Sequence, residues 1–179
     1  MSLLIRPARE ADVPSLLAIY RPYVEETFIS FEFEPPSEEE FTRRLRSIQA
    51  KFPYLLAERE GEILGYTYAA PFKERPAYRW AVETTIYLRR DCRGQGLGRA
   101  LYQALEDRLV RQNVQNLNAC IAYPHPESIA FHTAMGFRMV GRFEKCGYKL
   151  GAWRDMVWME KHVGGHADPP PPLLPPVSD

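Results

Sequence analysis

The 179-residue chain has no excess of charge: 23 Lys+Arg stand against 23 Asp+Glu, and the net charge is zero with histidine neutral. That balance argues against a nucleic-acid binder, which carries a basic excess on some face. No apolar run approaches the roughly 20 residues of a membrane span. The opening Met1-Ser2-Leu3-Leu4-Ile5-Arg6-Pro7 meets charge and proline too early for a secretory apolar region. Cysteine is scarce: Cys92, Cys120 and Cys146 are odd in number, scattered and without a C-x-x-C pair. They read as reduced thiols, and a cytoplasmic protein is expected. The four histidines, at 125, 132, 162 and 166, have no metal-ligand spacing, so no metal is expected. What is present is 45% hydrophobic and 26% charged. At this length about 70% of the unfolded surface can be buried, which suffices for one domain without staples.

Proline is over-supplied, and unevenly. Of 16 residues, Pro169 to Pro172, Pro175 and Pro176 crowd the C-terminus. Proline lacks the N–H and fixes φ, so residues 163–179 are expected as a disordered or polyproline tail behind a domain over 1–162.

Within the domain the elements alternate. Leu3 to Arg6 is a short strand, and Asp12 precedes a helix carrying Val13, Leu16, Leu17 and Tyr20 on one face. Ser37 with Glu40 forms a capping box for a second helix. Tyr54–Glu58 and Ile63–Ala70 read as a hairpin about Glu60-Gly61-Glu62. A strand over Arg79–Leu88 precedes a helix over Gly98–Gln112, with Leu101, Leu105 and Leu109 at helical spacing. Strand, helix, strand follow at Leu117–Ala122, Ser128–Met135 and Phe137–Arg142, and a last strand at Trp153–Met159. The order β-α-α-β-β-β-α-β-α-β-β predicts a mixed α/β domain without internal repeats.

The most informative stretch is Arg93-Gly94-Gln95-Gly96-Leu97-Gly98-Arg99, between a strand and an amphipathic helix. Alternating glycines let backbone N–H groups approach an anion, and the positive end of the helix dipole faces the same place. The spacing is neither a P-loop nor the dinucleotide G-x-G-x-x-G, and no acidic residue about 20 positions on stands ready for a ribose. Alone, such a turn is a phosphate cradle or simply a turn.

The same residues resemble the R/Q-x-x-G-x-G/A pyrophosphate loop of the GNAT superfamily of N-acetyltransferases. Ser128-Ile129-Ala130-Phe131-His132-Thr133-Ala134-Met135-Gly136-Phe137 is similar to that superfamily's fourth-helix motif. The segments Arg75 to Leu88 and Gly147 to Asp155 resemble the phosphinothricin and methionine sulfoximine acetyltransferase subfamily. The resemblance covers about residues 3 to 160. It implies the GNAT acyl-CoA N-acyltransferase fold, a central mixed, mostly antiparallel sheet with splayed parallel strands and flanking helices. It implies acetyl-CoA as co-substrate, a small amino-acid-like amine as acceptor, and commonly a homodimer.

Residue by residue, the resemblance places Ile86, Tyr87 and Leu88 along the pantetheine arm, by backbone pairing. It places Arg93, Gly94, Gln95, Gly96, Leu97, Gly98 and Arg99 at the pyrophosphate. Where the family usually has an asparagine for the pantetheine, this chain has His125, which can also donate. A glutamate inside a strand suited to burial is costly unless it serves a purpose, so Glu83 is the expected base, acting directly or through a water. His132 stands where many members carry a tyrosine that protonates the leaving thiolate; histidine could do that or bind the acceptor. Lys73, Arg75 and Tyr78 in a proline-stiffened loop suit an anionic acceptor, and Glu32 in Ser30-Phe31-Glu32 would meet the acceptor amine or shape its pocket. Lys149 and Trp153 would help close the site. Cys92 beside the glycine loop raises an acetyl-cysteine route, disfavoured because no histidine lies nearby in sequence. Other readings are an acetyltransferase for a protein N-terminus or a polyamine, a non-catalytic CoA-binding regulatory module, and a nucleotide-binding enzyme using the same glycines.

Overall fold

A computed structural model of the protein describes residues 3–176. The elements run β1 (Leu4–Pro7), α1 (Val13–Glu26), α2 (Glu38–Gln49), β2 (Tyr54–Arg59), β3 (Glu62–Pro71), β4 (Ala81–Leu88), α3 (Leu97–Arg111), β5 (Asn116–Tyr123), α4 (Pro126–Ala134), β6 (Arg138–Lys149) and β7 (Ala152–His162). Ser37 caps α2 as its sequence predicts, its hydroxyl accepting from Glu40 N at 3.1 Å. Asp12 behaves differently. A 3-10 turn over Glu10–Asp12 intervenes, and the Asp12 carboxylate accepts from Arg9 N at 2.7 Å and from Arg6 rather than capping α1. The second residue of α1, Pro14, has no N–H to be capped.

The seven strands form one sheet in the order β1-β2-β3-β4-β5-β7-β6. Every neighbouring pair is antiparallel except β4 and β5. That parallel pair is joined only at Ala81 with Asn116, Val82 with Leu117 and Glu83 with Asn118. Beyond Glu83 the two strands diverge while their outer neighbours stay paired: β3 follows β4 to Leu88, and β7 follows β5 to Tyr123. The sheet is therefore forked along its middle.

Strand alternation divides β4 between two cores. Val82 is buried, and Ile86 and Leu88 pack, with the core that α3 covers, built on Leu101, Leu105, Leu109, Leu117 and Met159. Tyr87 packs with the core under α1 and α2, built on Leu16, Leu45, Leu56 and Tyr66. Helix α3 thus backs one face of the fork and α1 the other.

Of the segment expected as a disordered or polyproline tail, residues 177–179 lie outside the described residues. Residues up to 176 lie along the domain: Trp80 Nε1 donates to Pro171 O at 2.7 Å, Asn113 Nδ2 to Pro172 O at 2.8 Å, and Gln112 exchanges bonds with Leu174 in both directions at 2.9 Å. Leu173 packs against the α3 core. Proline cannot build regular elements, yet its carbonyls are good acceptors and its fixed φ lowers the entropy lost on docking.

Candidate active site

The fork opens into a cleft of ≈ 800 Å³. Its sides are Glu83–Leu88 on one branch and Ala119–Ala122 on the other, with Arg93, Gly94 and Leu97–Arg99 at the far end and His125, Phe131 and His132 closing it. The unpaired edge of β4 beyond Glu83 offers backbone groups as a strand edge does. At the far end Gly94 and Gly96 take φ of +77° and +75°, which frees backbone N–H groups to turn inward, and the first residues of α3 add their donors. Leu97, expected before the helix, is its first residue. Arg93 is steered by Tyr23, whose hydroxyl accepts from Nη2 at 3.3 Å and itself donates to Leu88 O at 2.5 Å. An extended, amide-bearing arm ending in a diphosphate fits this donor set.

The fork's apex is tied twice. Asn118 Nδ2 donates to Val82 O at 3.1 Å, and Thr84 Oγ1 lies 3.2 Å from Asn118 O while also bonded to the buried Tyr102 hydroxyl. Glu83 sits at this apex. Burial pushes its pKa above the usual carboxylate value, and the Lys73 ammonium pulls it partly back. Half-buried and beside one cation, such a carboxyl is a better proton acceptor than an ordinary surface carboxylate.

His132 is 4% exposed on α4. Its Nδ1 donates to Ser128 O at 2.8 Å, leaving Nε2 as the basic nitrogen, and Tyr102, Phe131 and Phe137 box the ring edge-on. Burial lowers its pKa, so the neutral ring predominates at pH 7. His125 precedes α4 at the cleft's rim, its pKa lowered by burial and by Arg93.

Not all expected residues converge. Gln95 turns its side chain outward, accepting from Arg59 at 3.2 Å. Glu32 lies under α1, accepting from the Tyr20 hydroxyl at 3.0 Å and from Arg44 at 2.6 Å, outside the cleft. Arg75 lines neither the cleft nor the recess described next. Trp153 is 61% exposed and packs on Tyr148. Lys149 does join the site region, by a route its sequence conceals. It is 4% exposed, and Nζ donates to Val24 O and Ser30 O, both at 2.6 Å, pinning the loop that carries Phe31 into the cleft.

A second hollow, a recess of ≈ 930 Å³, adjoins the cleft on the Glu83 face of the sheet. Asn118, paired with Glu83, and Trp158, paired with Cys120, both line it. Lys73 reaches over Phe72 and Trp158, 5.1 and 6.0 Å from their ring centres, and Tyr78 and Trp80 complete an aromatic wall. Tyr23, Thr84, Asn118 and Trp158 escape sequence reading because each acts through a tertiary contact. Asn118, polar within a strand otherwise buried, was the one with a local signal.

A forked sheet with a glycine cradle at the mouth of one branch defines an acyl-CoA-dependent acyltransferase. Residues 5–158 match the acetyltransferase (GNAT) domain, and the chain belongs to that family. It is 35% identical over 171 residues to phosphinothricin N-acetyltransferase of Streptomyces viridochromogenes, covering 96% of this chain and 93% of that protein. It is 34% identical over 168 residues to the L-methionine sulfoximine/L-methionine sulfone acetyltransferase of Pseudomonas aeruginosa, covering 91% and 96%. The crystal structure of a phosphinothricin acetyltransferase from Sinorhizobium meliloti in complex with AcCoA superposes with a TM-score of 0.89 at 37% identity, covering 96% of this chain and 94% of that one. The chain is an acetyltransferase, and acetyl-CoA is its co-substrate.

Proposed function

We propose that the protein acetylates the α-amino group of a small amino-acid-like acceptor of the phosphinothricin, methionine sulfoximine or methionine sulfone type, by direct attack in a ternary complex. The observation that carries this reading is Glu83, a half-buried carboxyl with a raised pKa at the fork's apex, with the Lys73 cation beside it. The donor brings an acetyl group already activated as a thioester. The edge of Ile86, Tyr87 and Leu88 holds its pantetheine arm, the Arg93–Arg99 loop takes the pyrophosphate, and His125 supports the arm from α4. A backbone N–H near Ile86 or Tyr87 polarises the thioester carbonyl, where negative charge develops.

Glu83 takes the proton of the acceptor ammonium, directly or through a water, so that the free amine attacks. Lys73 and Tyr78 receive the acceptor's anionic end, with Arg75 on the adjoining loop and Glu32 supporting the pocket through Tyr20. His132 bonds the acceptor or passes a proton to the departing sulfur. Its neutral ring favours the first role. The related acetyltransferases named above support the acceptor class.

Val140 and Phe143, 54% and 58% exposed on the helix-free half of the Glu83 face, suit burial in a homodimer, and three free thiols accord with a cytoplasmic setting. The test is a thiol-release assay with acetyl-CoA and a panel of phosphinothricin, methionine sulfoximine, methionine sulfone, spermidine and an alanine-initiated peptide. Turnover of the amino-acid analogues is expected. Release only with spermidine or peptide overturns the acceptor class, and CoA binding without release overturns catalysis.

A further inference from the structure

The catalytic reading leaves the proline-rich segment without a task, although the domain holds it by side chains spread over 36 positions of sequence. The chain leaves β7 and passes directly over Gln115. A Cβ on Gly164 would meet Gln115 Oε1 at 2.0 Å, so any side chain there displaces the Gln115 amide. His166 N then donates to the same Oε1 at 3.0 Å, and His166 Nε2 lies 2.7 Å from Asn116 Oδ1. Further on, the anchors are Trp80, Asn113, Gln112 and the apolar contact of Leu173. Between these two sets of anchors, His166, Ala167 and Pro170 line the recess opposite Lys73 and Trp158.

Hydrogen bonds to Trp80, Gln112, Asn113, Gln115 and Asn116 fix a stretch that has no ladder of its own. Such a segment holds a position only because side chains of the domain dictate it. Its inner surface, an alanine and a proline ring beside one imidazole, is mostly apolar. The segment is bonded to Trp80 and Asn116, which precede Glu83 and Asn118 along the chain, and it lines the recess into which the side chain of an acceptor whose amine lies at Glu83 would run.

We infer that residues 164–174 form a specificity wall: the segment closes the recess and selects acceptors by the length and polarity of their side-chain terminus. The inference rests on the acceptor reading given above. An amino acid with a compact apolar end, such as the methyl of a sulfone or sulfoximine, is accommodated. A long cationic side chain is met by Ala167 and Pro170, which offer it no partner, and by Lys73, which repels it, while Glu160, the one carboxylate among the described residues of the lining, is already held by Arg138.

The decisive variant is Ala167→Trp in the full chain, assayed with methionine sulfone. Ala167 is exposed on its outer side, so the indole is tolerated and fills the recess mouth. The KM for methionine sulfone is expected to rise about tenfold, the size of effect one misfit contact produces in a specificity pocket, with the KM for acetyl-CoA unchanged. The second variant, Asn113→Gly with Leu173→Ser, releases the wall from residues that do not line the recess. It should raise the same KM and narrow the preference for methionine sulfone over lysine.

Whichever variant melts cooperatively decides the matter. A methionine sulfone KM and preference within twofold of the unaltered chain, or an equal rise in both substrates' KM, overturns the wall. An unaltered chain that acetylates no amino acid overturns the acceptor reading instead, and that result is seen before any variant is made.

Discussion

Asn118 and Val82 are joined across the apex of the fork by a side-chain amide that donates to a strand carbonyl at 3.1 Å. The bond lies beside the last pair of the parallel ladder, Glu83 with Asn118, so the position from which β4 and β5 separate is fixed by a side chain as well as by register. Asn118→Leu keeps the volume and leaves Val82 O without its donor, at a cost of about 1–3 kcal/mol. A lower thermal midpoint with reduced kcat is expected; an unchanged midpoint would show that the apex holds without it.

Glu83→Gln keeps the shape and removes the proposed base. Turnover should fall about 10²-fold while acetyl-CoA affinity, measured by calorimetry, stays put. The effect is not total because an α-amine of pKa about 7.7–8.0 is partly neutral at pH 7. Burial raises the Glu83 pKa, so the ionised, active form accumulates as pH climbs above the ordinary carboxylate range. The rate should therefore rise with pH there in the native enzyme, and that limb should be missing from the glutamine variant.

Gly94→Ala meets nothing within 4 Å, so any effect comes from φ alone. Forcing a side chain into the left-handed region costs about 1–2 kcal/mol. That corresponds to a 5- to 30-fold loss of acetyl-CoA affinity, with the acceptor KM unmoved. Equal weakening of both substrates would contradict the cradle.

Lys149→Met removes the ammonium that holds Val24 O and Ser30 O, and should destabilise by about 1–3 kcal/mol in chemical denaturation. Burial lowers the folded-state pKa of Lys149, so between that value and the ordinary lysine value the unfolded chain binds more protons. Native stability therefore gains from this group as pH rises through that window. The methionine variant should lack the gain.

Cys120 lies on the Glu83 face, and burial together with Glu83 pushes its pKa up to about 12. It is a thiol, not a thiolate, at neutral pH. Cys120 and Cys146 are both exposed, so iodoacetamide at pH 7.5 should label Cys146 well before Cys120 because of the raised Cys120 pKa, read by peptide mass spectrometry. Rapid labelling of Cys120 would revive a thiol route for the acetyl group.

Much of this was legible in the sequence, for identifiable reasons. Element order follows from periodicities that Leu101, Leu105 and Leu109 or the run Tyr54–Glu58 display openly, and the cradle from three glycines at a strand-to-helix turn. The second half of β6 was not legible. Expected to end at Arg142, the strand runs to Lys149 through Glu144, Lys145 and Cys146. It is an edge strand with most residues exposed on both faces, and two irregularities in its pairing with β7 break the alternation that betrays a strand. Glu32 was placed by motif and Arg75 by the charge of its proline-stiffened loop, and neither encodes which way a loop turns. Gln95 shows the same limit, since its backbone belongs to the cradle while its side chain reaches Arg59.

Two of the three tryptophans, Trp80 and Trp158, line the recess; none lines the cleft, and Trp153 is out in solvent. On the proposed acceptor reading, the two substrates meet regions of unlike optical character. Emission from the indoles reports an acceptor arriving beneath the proline segment and is nearly blind to the donor in the fork, so the order in which the two enter can be watched in the unlabelled protein.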